Sequence, residues 1–174
     1  MANKFWAQTE SQPKRQHRFM MSLGKTGIPQ WVITQVSRPS MEISTTEHQY
    51  MNHTFKFPGR AKWNNISVTL RDPLQPDASS LLYGIIKAAG YSPPTGDPTE
   101  TKEMKTFTKS SFATAIGGQI QIHALDASGK VKETWTLHNP MFVSVNWGEF
   151  NYSSEELLDI TLDIAYDYAV ITTT

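Results

Sequence analysis

The stretch ITLDIAYDYAV, residues 160–170, has the most regular alternation of apolar and polar or small side chains in the chain. Its even-numbered positions hold Ile, Leu, Ile, Tyr, Tyr and Val, and the carboxylates Asp159, Asp163 and Asp167 fall on the odd-numbered face. Successive side chains of a β-strand point to opposite faces, so this period of two predicts one strand, buried on its apolar side and exposed on its acidic side. The sequence therefore indicates a mainly β protein.

Other segments repeat the same period. Apolar and polar residues alternate over 66–71, and again over 119–124 and 131–138 on either side of a turn at Asp126–Gly129. Val143, Val145 and Trp147 indicate a further strand. We expect a β-barrel or two packed antiparallel sheets, and residues 1–174 are enough for one domain with a sizeable core.

One short α-helix is expected over about 78–89. Asp77 is a suitable N-cap, Gly90 can end the helix, and the apolar residues between them recur at helical spacing. The following stretch, about 91–110, is rich in Pro, Ser and Thr and is expected to be a flexible loop. Gly117-Gly118 is expected to mark a bulge or bend.

The region 41–57 is polar on both faces if it is read as a strand. Such a segment gains little from one core, so an extended hairpin arm that pairs with a neighbouring molecule is one interpretation. A mobile surface hairpin is the other, and the sequence does not separate them. If the arm joins subunits, the candidate contact residues are Glu42, Ser44, Thr46, His48, Tyr50, Asn52 and Thr54.

Charge is unevenly distributed along a chain whose net charge is zero. Residues 1–75 hold ten Lys/Arg and four Asp/Glu, a balance of +6, and residues 76–174 hold six and twelve, a balance of −6. Charged residues make up only 18% of the chain, which is below the usual quarter. Either the asymmetry is accidental or it provides complementary surfaces for head-to-tail association of identical subunits.

Residues for chemistry are scarce. The chain has no cysteine, and none of its five histidines has the spacing of a helical zinc motif; His48 and His53 would face opposite sides of a continuous strand. Neighbouring carboxylates among Asp159, Asp163 and Asp167 would stand ~13 Å apart, too far for a catalytic pair, so a solvated strand face is the simplest reading. The basic cluster around Lys14 is too small for specific DNA binding. We therefore expect no catalytic residue, metal or cofactor, no membrane span, and folding in a cytoplasm.

A series of short motifs, taken in order, resembles the tail tube proteins of contractile-tailed bacteriophages. It begins with Pro58-Gly59 and Trp63, continues through the strand at 66–70 and the single helix, and extends over roughly residues 15–171. The C-terminal third contributes the run at 120–126, followed by Gly129, Glu133–Leu137, Asn139-Pro140, Tyr152-Ser153 and Ile160–Leu162. Each motif alone is common, and their order carries the resemblance.

The resemblance implies a structural subunit that forms sixfold rings, which stack into the hollow inner tube of a virion tail. Implied partners are further copies of the chain, a sheath protein, a tape-measure protein and a baseplate initiator of the tube. DNA would pass through the lumen without specific binding. The arm would then join neighbouring subunits, and Asp159, Asp163 and Asp167 would line the lumen, where like charge repels DNA. Assembly would take place in the cytoplasm of a bacterial host.

Three alternatives remain open from the sequence. The first is a baseplate or type VI secretion tube protein of the same fold. The second is a monomeric small-ligand β-barrel with a cavity lined by Trp135, Trp147, Tyr166 and Tyr168. The third is a hydrolase that uses residues such as Glu47, His48 and Asp163.

Overall fold

A computed structural model describes residues 13–93 and 106–173. Its elements are two α-helices, a short 3-10 helix at Gln30–Val32 and ten strands, and the strands hold 46% of the described residues. In chain order the strands and α-helices are β1 (Phe19–Ser22), β2 (Ile33–Val36), β3 (Met41–Tyr50), β4 (His53–Trp63), β5 (Ile66–Arg71), α1 (Ala78–Ala88), α2 (Lys109–Ile116), β6 (Gln119–Leu125), β7 (Val131–His138), β8 (Met141–Asn146), β9 (Asp159–Ala165) and β10 (Tyr168–Thr173).

The strands form two four-stranded antiparallel sheets and a separate two-stranded hairpin. The first sheet has the order β1-β6-β7-β10, the second has the order β2-β5-β9-β8, and β3 pairs with β4. No closed barrel forms among the described residues. Of the two architectures predicted from the sequence, packed sheets with a hairpin arm are therefore confirmed.

The core lies between the two sheets and the helices. Ile160, Leu162 and Ile164 of β9 are fully buried and stand in register with the equally buried residues of β5. The first sheet contributes apolar side chains such as Ile120 and Leu137, and the helices contribute Leu82 and Ile116, among others. The strongest alternations in the sequence thus mark the centre of the second sheet.

The prediction of one strand through residue 170 is wrong. The strand β9 ends at Ala165, Asp167 donates its N–H to the carbonyl of His138 at 3.0 Å, and β10 continues in the first sheet. The chain changes sheets at this corner, so burial no longer follows the alternation of the sequence beyond it. In β10 it is Ala169 that packs on the core, whereas Tyr168 and Val170 are exposed.

Helix α1 confirms the helix expected at 78–89, with the Asp77 side chain accepting a hydrogen bond from the Ser80 N–H at 3.0 Å. Helix α2 was not predicted, and it takes the end of the loop assigned to 91–110; the central part of that loop lies outside the described residues. Gly117 is the C-cap of α2, with a left-handed φ of 95°, and Gly118 is a bend before β6. The expected bend at Gly117-Gly118 is therefore confirmed, whereas the alternative of a strand bulge is wrong.

Candidate interaction surfaces

The arm is the hairpin β3-β4, which pairs Met41–Tyr50 with His53–Trp63 around a two-residue turn at Met51-Asn52. Every residue of the hairpin is exposed except Trp63 at its base. Among the described residues, β3 and β4 pair only with each other, so both outer edges offer free backbone groups. An isolated two-stranded hairpin is marginally stable in water, and free edges readily add another strand.

A bulge divides the arm into a base and an outer part. The register shifts between Ile43 and Thr45, where the Ser44 hydroxyl accepts a hydrogen bond from the Arg60 N–H at 2.9 Å. Gly59 allows this approach, because a Cβ at that position would lie 2.3 Å from the Ser44 hydroxyl oxygen. Bulges increase local twist and bend a strand, so the outer part of the arm points in a different direction from its base.

The turn redistributes the predicted contact residues between the two faces of the arm. Residues paired across antiparallel strands share a face, so His48 with Phe55, and Tyr50 with His53, lie on one side. Glu42, Ser44 and Thr46 lie on that side of β3 by alternation, whereas Asn52 is in the turn and Thr54 is on the opposite face. The expectation that His48 and His53 face opposite sides is therefore wrong, since a turn interrupts the strand between them.

One face of the outer arm is rich in exposed rings. It carries Tyr50 from β3 and Phe55 and Phe57 from β4, which are 52–60% exposed, together with the two histidines. Exposed aromatic groups clustered on a projecting hairpin are typical of protein interaction surfaces. We call this side the aromatic face of the arm.

The base of the arm is fixed to the domain by a buried carboxylate. Glu133 of β7 is 2% exposed and accepts charged hydrogen bonds from Lys14 and from Arg38, which lies between β2 and the arm. The Trp135 indole N–H also donates to Glu133, at 2.6 Å. On the other side of the base, Trp63 packs on Tyr166 with ring centroids 5.9 Å apart, and burial raises the pKa of Tyr166.

Sequence reasoning did not single out Glu133. A signal was present, because Glu133 shares the parity of Trp135 and Leu137 in a strand whose Leu137 is buried. An acidic residue on the inward face of a strand requires partners, since burying an unpaired charge is costly. The alternation reveals the buried position, whereas the identity of the partners depends on tertiary structure.

The three aspartates predicted to share a strand face have different surroundings. Asp159 lies 3.1 Å from the Arg71 Nε, and Asp163 stands between Ser67 and Ser144 on the outer face of the second sheet. Asp167 is not in β9 but at the corner, where the Lys109 Nζ lies 2.5 Å away. Hydrogen bonds from Lys109 and then from Asn139 lower the pKa of Asp167.

A second projecting segment joins β8 to β9. This acidic loop, residues 147–158, contains Glu149, Glu155 and Glu156 and no basic residue. Phe150 and Tyr152 in the loop are almost wholly exposed, at 94% and 112% of the reference area. Trp147 was predicted to be in a strand but begins this loop, because β8 ends at Asn146.

Sites for small-molecule chemistry are limited in the part of the chain that is described. There, no group of three His, Asp or Glu side chains is placed to hold a metal ion, and no helix is long and apolar enough to cross a membrane. A shallow pocket of about 200 Å³ is lined by Phe112, Met141, Tyr166 and Asp167, among others. Trp135, Trp147 and Tyr168 do not line it, so the aromatic cavity of the ligand-barrel alternative is not present there.

Several solved structures share the fold. The chain is similar to a chain of the anti-feeding prophage cap, described as a tube-terminating cap, at 19% identity over 94% of this chain and 93% of that one, with a TM-score of 0.65. It is also similar to chains of the extended sheath-tube complex (18%, 93% and 93%, TM-score 0.64) and the sheath/tube terminator (17%, 95% and 100%, TM-score 0.66) of the PVC extracellular contractile injection system. No protein-family model and no curated protein sequence matches the chain.

At this level of identity the likeness shows the fold. The chain has the fold found in tube, cap and terminator assemblies of contractile injection systems, which confirms the resemblance to tail tube proteins in respect of architecture. The match extends over more than nine tenths of the chain.

Proposed function

We propose that this protein is a structural subunit that assembles with copies of itself into hexameric rings, and that the rings stack into the hollow inner tube of a contractile tail. The observation that carries the proposal is the arm, an exposed hairpin whose two edges and aromatic face are left uncovered by the described residues of its own domain. In a closed ring, the edges of the arm would pair with strands of neighbouring subunits, and no edge would remain free. The shared fold supports this role.

The same proposal assigns partners and a cargo. A sheath protein would surround the tube, a baseplate initiator would begin it, and a tape-measure protein would set its length in a virion tail assembled in the host cytoplasm. DNA would pass through the lumen. A terminating cap or baseplate ring of the same fold is the second candidate, favoured by the likeness to the prophage cap and the PVC terminator.

Purified protein examined by negative-stain microscopy and analytical ultracentrifugation tests the central claim. We expect rings at micromolar concentration and stacked tubes at higher concentration, because contacts between identical subunits follow mass action. Rings that never stack would favour the cap or baseplate candidate. A monomer at every concentration, with no ring on the grid, would contradict self-assembly.

The outer face of the second sheet is the proposed wall of the lumen. Around Asp163 this face carries Ser67, Thr69, Thr161 and Ser144, which are polar and too short to bind a phosphate backbone firmly. A negative and weakly interacting wall would let DNA slide, because neither attraction nor counterion release holds the polyanion. Asp159 and Asp167 are each paired with a basic residue of their own chain. A substitution at Asp163 is therefore the clearest test of the lumen assignment.

Replacing Asp163→Lys should leave the fold intact and make the lumen bind DNA. The change in unfolding free energy should stay within about 0.5 kcal/mol, because the side chain points away from the core. Tubes of the variant should retain a short labelled DNA that resists nuclease, whereas wild-type and Asp163→Asn tubes should release it. DNA that the variant binds but nuclease removes would place Asp163 on the outside of the tube.

A further inference from the structure

The acidic loop has the composition of a contact surface, and within residues 13–93 and 106–173 nothing covers its aromatic rings. Phe150 and Tyr152 expose essentially their whole rings, and the three glutamates lie within seven positions of one another. Aromatic rings bound most firmly in interfaces are surrounded by polar groups that exclude water. The loop therefore offers aromatic anchors within a negative rim.

The loop and the arm lie at opposite ends of the second sheet. The register pairs Arg71 with Asp159 at the end where the loop enters β9. At the other end β5 begins at Ile66, opposite Ile164, and the Ser37 N–H just before the arm donates to the Ser67 carbonyl at 2.9 Å. A contact between two different surfaces at opposite ends of a subunit is heterologous, and it generates rings or filaments.

Strand β4 of the arm has the positive charge that the acidic loop lacks. It carries Lys56, Arg60 and Lys62 and contains no acidic residue. Lys62 is the register partner of Glu42 and so shares the aromatic face with Phe55 and Phe57, whereas Lys56 pairs with Glu47 on the opposite face. Lys56 pairs with Glu47 at 3.7 Å, but both side chains are more than half exposed, so this pair contributes little and can exchange partners. Strand β4 thus offers two exposed rings on one face and three positive charges distributed over both faces, and the loop offers three negative charges and two exposed rings.

We infer that the acidic loop of one subunit docks on strand β4 of the arm of the next copy, with Phe150 and Tyr152 against the aromatic face. The inference rests on the proposed self-assembly and identifies the second surface of its contact. Charge steers the two surfaces together and fixes their register, while the rings provide the buried contact. The polarity of the contact follows from the positions of loop and arm at opposite ends of one sheet.

Reversing the charges on each side separately tests the pairing. In the loop variant Glu149→Lys, Glu155→Lys and Glu156→Lys are combined, and in the arm variant Lys56→Glu, Arg60→Glu and Lys62→Glu are combined. Each variant alone should raise the concentration needed for assembly at least tenfold at low salt. A mixture of the two, or one chain with all six changes, should assemble as the wild type does, because every contact again joins opposite charges.

The rescue separates an interface from damage to either surface. Unfavourable charge pairs inside the arm, such as Glu47 with a reversed Lys56, would persist in the mixture and could not be cured by the loop changes. Restoration by the partner variant therefore supports the pairing. If the wild type assembles while the mixture and the six-fold variant stay dispersed, or if the loop variant assembles normally, the inference is wrong and the proposed tube function stands.

The absence of cysteine from the chain permits a direct second measurement. Tyr152→Cys and Phe57→Cys are made in separate chains, and the chains are mixed under mild oxidation. The mixture should give a covalent dimer at least five times as abundant as either chain gives alone. Equal yields from the mixture and from the separate chains would show that this loop and this strand do not meet, even where the wild type forms rings.

Discussion

Excision of the outer arm should abolish ring formation and leave a folded, soluble core. Residues 44–60 are exposed throughout, and neither four-stranded sheet pairs with them. The core loses no buried side chain in the excision, so the free energy of unfolding should change by no more than about 1 kcal/mol. Self-assembly loses the free edges, the aromatic face and the basic residues Lys56 and Arg60 together.

The structure supplies a clean place to cut. Ile43 and Ala61 are register partners just below the bulge, so replacing residues 44–60 by Asn-Gly closes the base with a two-residue turn. The contact of Trp63 with Tyr166 and the bond from the Asn64 N–H to the Ser40 carbonyl are kept. The base should therefore remain in place after the outer arm is removed.

A matched control introduces the same turn without shortening the arm. Tyr50 and His53 are partners across the native turn, so Met51→Asn with Asn52→Gly places Asn-Gly at the tip of a full-length arm. Met51 already has a φ of 52°, which Asn adopts more readily than Met. Sedimentation should show rings for the control and monomers for the excised protein. Rings formed by the excised protein would contradict the assignment of the arm to assembly.

The centre of the second sheet was predictable because its strands repeat one period for six or seven residues. The even positions of β9 and the apolar positions of β5 are buried without exception, since both strands have one face on a single core. The hairpin arm was predictable for the opposite reason. A segment with weak alternation has no continuous apolar face to bury in its own core, and β3 is in fact exposed along its whole length.

The corner between β9 and β10 was not predictable from alternation. Residues 160–170 keep a period of two, but the backbone leaves one sheet at Tyr166-Asp167 and joins another. Periodicity describes which side chains share a face of one strand and contains no information on where the backbone turns. The assignment of three aspartates to the lumen depended on one continuous strand. Because Asp167 lies outside β9 and Asp159 is paired with Arg71, the proposed lumen wall now rests on Asp163.

Helix α2 was missed because it is short and weakly apolar. Its sequence KSSFATAI buries only Phe112 and Ile116, so its periodic signal is small. The capping residues were the better signal. The Thr108 hydroxyl accepts a hydrogen bond from the Ser111 N–H at 3.1 Å, and Gly117 ends the helix in the left-handed conformation. Thr and Gly at these spacings are typical of helix ends.

The contact between this helix and the segment after β1 leads to the largest expected change in folding stability. Gly24 has a φ of +68°, and a Cβ there would lie 2.0 Å from the carbonyl oxygen of Ile116. The next residue, Lys25, donates its N–H to the same carbonyl at 2.8 Å, which satisfies a group at the end of the helix. Backbone conformation and space both exclude a side chain at Gly24.

Gly24→Ala should therefore lower the free energy of unfolding by about 2–5 kcal/mol, from left-handed strain together with overpacking. Gly27→Ala is the matched control, because Gly27 has a similar φ of +75° and nothing lies within 4 Å of its Cβ position. The control should lose only the strain, about 1–2 kcal/mol. Thermal unfolding of both variants measures the difference, and that difference isolates the contact with Ile116 from the cost of the backbone conformation. Equal losses in the two variants would mean that the segment after β1 does not pack against the end of α2.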